Sequence, residues 1–213
     1  MLETIDKTVE GKPRHKKSLS NKNKIILGDT FLPITEYFKK VKELYNGKFE
    51  GTAHFSIDKT GKIYQHLPYL STNRFIEDFK IDDQSFTIAL ENLNSIEMST
   101  LSNGSVYFMD WRGVTNNDKV YEKCWRNTDY WDQYTENQVK SLKNLCEFLC
   151  ENFDIQKKFI NTNTKTTKAI DYNGIVSRSN FSKYFNDVNP SFNFSLLNQI
   201  NHENKRKNDT KNN

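Results

Sequence analysis

The chain has 213 residues, of which 35% are hydrophobic and 13% aromatic, and its formal net charge at pH 7 is +4. This length fits one globular domain with extensions, and 15 Phe, 10 Tyr and 3 Trp supply large side chains for a core, which excludes a chain disordered throughout. With only 8 Gly and 4 Pro, the sequence is neither collagen-like nor dominated by linkers.

Both ends of the sequence are basic and polar, and they differ from its middle. Residues 1–22 show no hydrophobic periodicity, which predicts a flexible basic N-terminal arm, and residues 202–213 predict a disordered basic tail. The folded domain is therefore expected to span residues 23–201. Because the middle carries no strongly basic face, we expect no nucleic-acid partner.

The sequence also bears on the compartment of the protein. Its first residues contain no apolar run typical of a signal peptide, and no segment is apolar over the length needed to span a bilayer. Three cysteines occur without a CxxC pair, and Cys146 and Cys150 fit the apolar face of a helix. We therefore expect residence in a reducing cytoplasm and no membrane partner.

The first half of the chain predicts a strand, a helix and a hairpin. Residues 24–27 form an apolar run that ends at Gly28. Pro33 then precedes apolar residues at helical spacing from Ile34 to Tyr45, and Asn46-Gly47 would end that helix. Residues 52–58 alternate apolar and polar side chains, and a turn containing Gly61 connects them to residues 62–66, as in a β-hairpin.

The second half predicts further strands and the longest helix. Residues 85–90 are typical of a buried strand, residues 107–111 predict another, and residues 112–134 predict a long surface loop with aromatic anchors. A capping box from Thr135 to Gln138 begins a helix over about residues 136–152. Residues 174–177 predict a strand and residues 192–200 a final helix. The sum is an α/β fold with a single mixed, largely parallel β-sheet and one hairpin, flanked by helices on both faces.

Four stretches of the sequence, taken in order, carry a family resemblance: KIILGDT at residues 24–30, GTAHFSIDKTGKIYQ at 51–65, SFTIALEN at 85–92 and GIVSRSNFSKYFNDVNPSFNF at 174–194. They resemble the first strand, the hairpin, the central strand and the C-terminal signature of the zinc N-acetylmuramoyl-L-alanine amidase family, which includes phage endolysin amidases and peptidoglycan-recognition proteins. The match is closest to divergent members from large tailed bacteriophages. The resemblance implies a location in a host cytoplasm or a phage particle.

The resemblance implies a zinc centre with three protein ligands and a water that attacks the amide bond. The positions of the three ligands fall on Gly28, Arg178 and Asp187, and the position of the general-base glutamate falls on Ala89. A lysine found in some members falls on Phe185. Glycine has no ligating side chain and a guanidinium stays protonated, so only Asp187 could bind zinc. We therefore expect a degenerate metal site without a cofactor, and zinc only if the protein is an active amidase.

Several residues near these positions could take over a role. Glu91 would become the general base if the alignment shifted by two residues, Asp29 with Asp187 could bind a hard cation, and Arg178 could replace the metal's charge in a bidentate pair with Asp187. His54 matches a family histidine that is not a ligand; it could be structural or could contact a peptide carboxylate. The predicted cleft residues are Asp29, Thr30, His54, Glu91, Arg178, Ser179, Asn180 and Asp187.

Three functions are open from the sequence. The favoured one is a pseudoenzyme that keeps the amidase fold and binds the peptidoglycan stem peptide, or a phage or host protein, without cutting it. The second is an active endolysin-type amidase with a non-standard site. The third is a structural or regulatory phage protein in which exposed Trp111, Trp125 and Trp131 dock a partner. Loss of both histidines and of the base favours a protein that is not an enzyme.

Overall fold

The computed structural model describes residues 3–7, 16–45, 52–116 and 119–201. The predicted helix end at Asn46-Gly47 and the predicted tail lie outside this part. Within it, no helix is both long enough and apolar enough to cross a membrane. The elements in chain order are β1 (Ile5–Asp6), β2 (Lys16–Lys17), β3 (Lys24–Asp29), α1 (Ile34–Tyr45), β4 (Phe55–Ile57), β5 (Ile63–Gln65), β6 (Ser71–Thr72), α2 (Phe79–Asp83), β7 (Ser85–Leu90), β8 (Ser95–Thr100), β9 (Val106–Asp110), β10 (Val120–Trp125), β11 (Thr128–Asp132), α3 (Glu136–Phe153) and β12 (Gly174–Ser177).

The main sheet has six strands in the order β1-β5-β4-β7-β3-β12. Strands β4, β7, β3 and β12 run parallel to one another, and β5 returns antiparallel to β4 as the predicted hairpin. Every residue of β3 and β7 is buried, as expected for parallel strands covered on both faces. The predicted α/β class and its mixed, largely parallel sheet are confirmed.

Alternate residues of the strands supply two separate cores, because successive side chains point to opposite faces of a sheet. On one face Ile25, Leu27 and Ile88 pack against α3. On the other face Ile26 and Ala89 pack with side chains of α1. Helix α3 begins at the predicted cap, where the Thr135 hydroxyl accepts a hydrogen bond from the Gln138 amide.

The prediction of a single sheet is wrong, because β8 to β11 form a second, antiparallel sheet in the order β10-β11-β8-β9. Residues 112–134, predicted as a loop, contain the β10–β11 hairpin, whose turn residues Arg126 and Asn127 have φ of 53° and 62°. The sequence of β10 does not alternate between apolar and polar residues, because no residue of this strand is buried. Without that alternation the sequence does not predict a strand. The final helix is a 3₁₀ helix at Phe194–Asn201.

The third function considered from the sequence requires three exposed tryptophans, and only one of them is exposed. Trp131 is fully buried and Trp125 is half-buried against it, with ring centroids 5.3 Å apart. Trp111 is 54% exposed. Trp131 is buried because β11 pairs with both β10 and β8, and the Trp131 side chain lies on the covered face of this second sheet.

The described part of the predicted flexible arm is bonded to the domain. Ile5 lies opposite Tyr64 in a parallel pairing of β1 with β5, and β2 pairs with β6. The Lys22 side chain is 3% exposed and donates to three backbone carbonyls, those of Ser71, Asp83 and Ser85. Backbone pairing and one buried ammonium hold this segment, which is why it shows no hydrophobic periodicity.

Candidate functional site

The carboxyl ends of the parallel strands bring the predicted ligand positions together. Gly28 lies opposite Ala89, and Leu27 lies opposite Ser177, the residue before Arg178. A Cβ built at Gly28 would be 3.6 Å from Cδ of Arg178, and Nη1 of Arg178 is 3.6 Å from Oδ1 of Asp187. This edge is where open α/β sheets bind ligands.

Phe75 closes the space beside Gly28. A Cβ at position 28 would be 2.7 Å from Cζ and 3.1 Å from Cε1 of Phe75, and the ring is only 4% exposed. Gly28 lies inside a regular strand and is not among the glycines with positive φ. Packing of the ring, and not backbone conformation, therefore excludes a side chain at this position.

The guanidinium of Arg178 is held between two aromatic rings. Its carbon is 5.0 Å from the centroid of Phe75 and 4.0 Å from that of Phe185, within the range of cation–π attraction. Its Nε donates to the carbonyl of Phe75 at 3.0 Å. Nη1 is the guanidinium nitrogen within ion-pair distance of Asp187, so the arginine makes a single ion pair and not the expected bidentate one.

Asp187 is the buried anion of the site. Its side chain is fully buried, and neither carboxylate oxygen has a hydrogen-bond partner among the residues that the structure describes. Burial raises the pKa of Asp187 to about 6, and the neighbouring Arg178 opposes this shift. The guanidinium of Arg178 is therefore the neighbouring cation that favours the ionised form of this carboxylate.

Asp29 lies beside Asp187 but has its own hydrogen bonds. Its Oδ1 accepts from the Tyr134 hydroxyl at 2.6 Å and its Oδ2 from the Asn94 amide at 2.9 Å. Burial, and then the charge of Asp187, raise the pKa of Asp29 well above its usual value. Only Asp187 of this pair has oxygens without a hydrogen bond, and one carboxylate is too few for a hard cation, which takes about six to eight oxygen ligands.

The two positions considered for a general base are used otherwise. Ala89 is buried among apolar side chains. Glu91 accepts the Ile34 amide through Oε1 and the Lys59 amide through Oε2, both at 2.8 Å. Glu91 therefore caps the start of α1 and the turn of the β4–β5 hairpin.

His54 is a buried structural residue in this arrangement. It has no exposed surface, its Nδ1 is 2.9 Å from the Thr87 hydroxyl, and its Nε2 is 2.9 Å from the carbonyl of Ser71. Both ring nitrogens are engaged within the protein. The side chain ties the hairpin to the central strand.

The remaining cleft candidates hold the strand ends in place. The Thr30 hydroxyl donates to a backbone carbonyl two residues later, and the Asn180 amide donates to the carbonyl of Thr162 at 2.7 Å. Ser179 is fully buried and its backbone amide donates to the carbonyl of Asp187 at 2.7 Å. These contacts fix the loop that carries the buried carboxylate.

The second sheet reaches this loop through Arg126, which sequence reasoning missed. Its Nη1 donates to the carbonyls of Lys183, at 2.9 Å, and of Phe185. Its guanidinium also lies 4.3 Å from the ring of Trp125. Arg126-Asn127 is not one of the glycine-containing pairs typical of a two-residue hairpin turn, so the sequence gives only a weak signal for this hairpin. Phe75 offers no comparable signal.

These residues do not fit a zinc ion. Zinc sites in proteins use Cys, His or carboxylate ligands, three of them in a catalytic site. Of the three converging positions, Gly28 has no donor, Arg178 is a cation, and only Asp187 is a possible ligand. Across the described ranges, no group of three or more His, Cys, Asp or Glu side chains could hold a metal ion.

A comparison with models of protein families finds a match over more than half of the chain. The family described as N-acetylmuramoyl-L-alanine amidase (Amidase_2) matches residues 23–176. A comparison with curated protein sequences finds no match.

Solved structures show the same fold at low sequence identity. The amidase LysC from Clostridium intestinale URNW is 14% identical, with a TM-score of 0.53 over 92% of this chain and 94% of LysC. A selenomethionine derivative of AmpD is also 14% identical, with a TM-score of 0.53 over 94% of this chain and 95% of AmpD. The amidase AmiD from E. coli is 12% identical, with a TM-score of 0.54 over 88% of this chain and 61% of AmiD.

Proposed function

The chain belongs to the N-acetylmuramoyl-L-alanine amidase family, and we propose that this member binds the peptide part of peptidoglycan without hydrolysing it. The observation that carries the proposal is the ion pair between Arg178 and Asp187, whose atoms are 3.6 Å apart. A permanently charged guanidinium thus stands beside the one remaining ligand residue, where the family resemblance places a metal.

Without a zinc ion and a general base, the site lacks the groups that hydrolyse an amide bond in this family. In such a site the metal polarises the amide carbonyl and lowers the pKa of its bound water. The donor set here does not fit that ion, Ala89 carries no acid, and both oxygens of Glu91 accept backbone amides. We therefore expect no hydrolysis of the bond between the sugar lactyl group and L-alanine.

The choice of ligand rests on structures with the same fold. AmiD from E. coli was solved with its substrate anhydro-N-acetylmuramic acid-L-Ala-D-gamma-Glu-L-Lys, and AmpDh3 from Pseudomonas aeruginosa with an anhydromuramic pentapeptide. Such peptides carry carboxylates. The Arg178 side chain is 22% exposed, and its Nη2 has no partner among the described residues, which leaves a donor for a carboxylate.

Sedimentation with purified sacculi tests binding and cleavage in one experiment. We expect the protein to pellet with sacculi and to release no stem peptide, with or without added zinc. Arg178→Gln should reduce pelleting. Lys140→Ala, an exposed change on α3 at the opposite face of the sheet, should not. Thermal melting of each variant checks that it remains folded.

Two results would contradict the proposal. Zinc-dependent release of stem peptides that is abolished by Asp187→Ala would identify an active amidase. Absence of binding both to sacculi and to soluble muropeptides, measured by calorimetry, would remove peptidoglycan as the ligand.

A second candidate function is that of a scaffold for a protein partner. It is favoured by apolar side chains exposed on one face of the β8–β9 pair, where Met98 is 47% and Val106 is 54% exposed. Exposed apolar patches mark interaction sites in soluble proteins. Replacing both residues by serine should abolish recovery of a partner in pull-downs and leave pelleting with sacculi intact. Unchanged recovery would count against this candidate.

A further inference from the structure

We propose that Phe75 and Arg178 together occupy the place of the family's metal centre, the ring taking its volume and the guanidinium its charge. Zinc is then excluded by a packed cluster and not merely by missing ligands. The inference rests on the proposed function only for the location of that centre. It concerns how the centre was replaced and is independent of the ligand that the protein binds.

The volume argument begins at Gly28. The regular strand backbone there would accept any L-residue, but its Cβ would be 2.7 Å from Cζ of Phe75. That distance is too short for atoms that are not bonded. A histidine at position 28 therefore requires the ring of Phe75 to shift from its packed position.

Phe75 is not free to move aside. Its backbone amide donates to Oδ1 of Asp82 at 3.1 Å, and its carbonyl accepts from Nε of Arg178 at 3.0 Å. Asp82 also accepts the amides of the next two residues, so the loop is fixed by one buried carboxylate. These bonds fix the backbone of Phe75, and its ring is packed in the buried cluster that also contains Ile26 and Val176.

The charge argument concerns Asp187. A carboxylate that is fully buried and lacks a hydrogen-bond partner in the described part of the chain is costly unless a cation stands beside it. Arg178 provides that cation and is positioned by the rings of Phe75 and Phe185. Phe75 thus serves both arguments, since it blocks position 28 and orients the guanidinium.

The two arguments lead to a specific expectation about variants. Restoring histidine at positions 28 and 178 gives the family's ligand types together with Asp187, but it leaves the ring in the way. Adding Phe75→Ala opens the volume. Three changes, and not two, should therefore create a zinc site.

Zinc content after equilibration with the metal and removal of the excess tests this directly. We expect one zinc ion per chain in G28H/F75A/R178H, and none in the wild type or in G28H/R178H. Adding D187N to the triple variant should abolish zinc binding. With cobalt(II) in place of zinc, the triple variant should show the intense visible absorption of tetrahedral coordination. F75A/R178H is the matched control that lacks only the first ligand.

Two metal measurements would overturn the inference. One is zinc binding by G28H/R178H equal to that of the triple variant, which would show that Phe75 does not block the position. The other is a folded triple variant, established by a cooperative melt, that takes up no zinc. No cell-wall material enters these measurements, so their failure is separate from a failure of wild-type protein to bind sacculi.

A measurement of stability covers the case in which the triple variant does not fold. Gly28→Ala should lower the melting temperature of the wild-type chain and should lower it much less in a Phe75→Ala background, because the clash is then gone. An equal loss in both backgrounds would overturn the inference.

Discussion

At the scale of single residues, Glu91 shows that the role of a carboxylate follows from its neighbours. It stands two residues after the position of the family's base, but its oxygens accept the amides of Ile34 and Lys59. The first of these belongs to the opening turn of α1, where backbone amides have no partner within the helix. A carboxylate at the N-terminal end of a helix also interacts favourably with the helix dipole.

Replacing Glu91 should therefore affect stability. We expect Glu91→Ala to lower the free energy of unfolding by roughly 1–3 kcal/mol, because two amides lose their acceptor. Glu91→Gln, which keeps one acceptor oxygen, should lose less. Urea unfolding measures both changes, with Glu97→Ala on the exposed side of β8 as the control. A loss no larger than that of Glu97→Ala would contradict the capping role.

At the scale of elements, the sequence predicts every strand of the main sheet except the exposed β1, because the faces of the other strands are covered. The fully buried run Ser85–Leu90 and the helical spacing of Ile34–Tyr45 give strong local patterns. The second sheet gives no such pattern. Strand β10 is exposed or half-exposed along its whole length, so its sequence resembles that of a loop.

The contact between the second sheet and the loop that carries Asp187 predicts that the sheet restrains local opening of this loop. Arg126 links the β10–β11 turn to the carbonyls of Lys183 and Phe185. We expect Arg126→Ala to speed hydrogen exchange of the Ser179 amide, which donates to Asp187, by roughly tenfold, corresponding to about 1.4 kcal/mol.

Hydrogen exchange read by mass spectrometry measures this effect peptide by peptide. Lys123→Ala, a neighbouring exposed change on β10, is the control and should leave exchange around residue 179 unchanged. Identical protection in Arg126→Ala and wild type would show that the loop does not depend on the second sheet.

At the scale of the whole molecule, buried ionisable groups act on stability in opposite directions. Burial raises the pKa of Asp82 and of Asp187 to about 6, so these groups lower stability as the pH rises from about 4 to about 6. Burial lowers the pKa of His66 to about 3, so this group adds stability as the pH rises over the same range. The pH dependence of the free energy of unfolding is the sum of these opposing contributions. A variant that removes one ionisable group isolates the contribution of that group.

Asp187→Asn should change the pH dependence of stability in a defined window. The free energy of unfolding of the variant, relative to wild type, should rise between pH 4 and pH 6 and then stay level, because the folded wild type must ionise a buried acid over this range and the folded variant has no acid at that position. The expected rise is about 2–3 kcal/mol, given about 1.4 kcal/mol for each pKa unit. Urea unfolding at several pH values measures it, and a difference independent of pH would contradict the assignment. Asp129→Asn, at an exposed position, is the control.

The candidate site could be predicted from the sequence only in part. The family resemblance implies that positions 28, 178 and 187 share one site, and the structure brings Gly28 close to Arg178 and Arg178 close to Asp187. Phe75 could not be predicted, because it lies in an irregular segment before α2 and meets Gly28 only through tertiary packing. The burial of Asp187 depends on the same packing.

The N-terminal segment affects how the protein should be shortened for recombinant production. The family match begins at residue 23, yet Lys22 satisfies three backbone carbonyls and β1 covers the outer side of β5. A polypeptide trimmed to that boundary would leave β5 with an unpaired edge, which in β-proteins recruits strands from other molecules. Such a fragment should self-associate and scatter light at concentrations where the 213-residue chain does not.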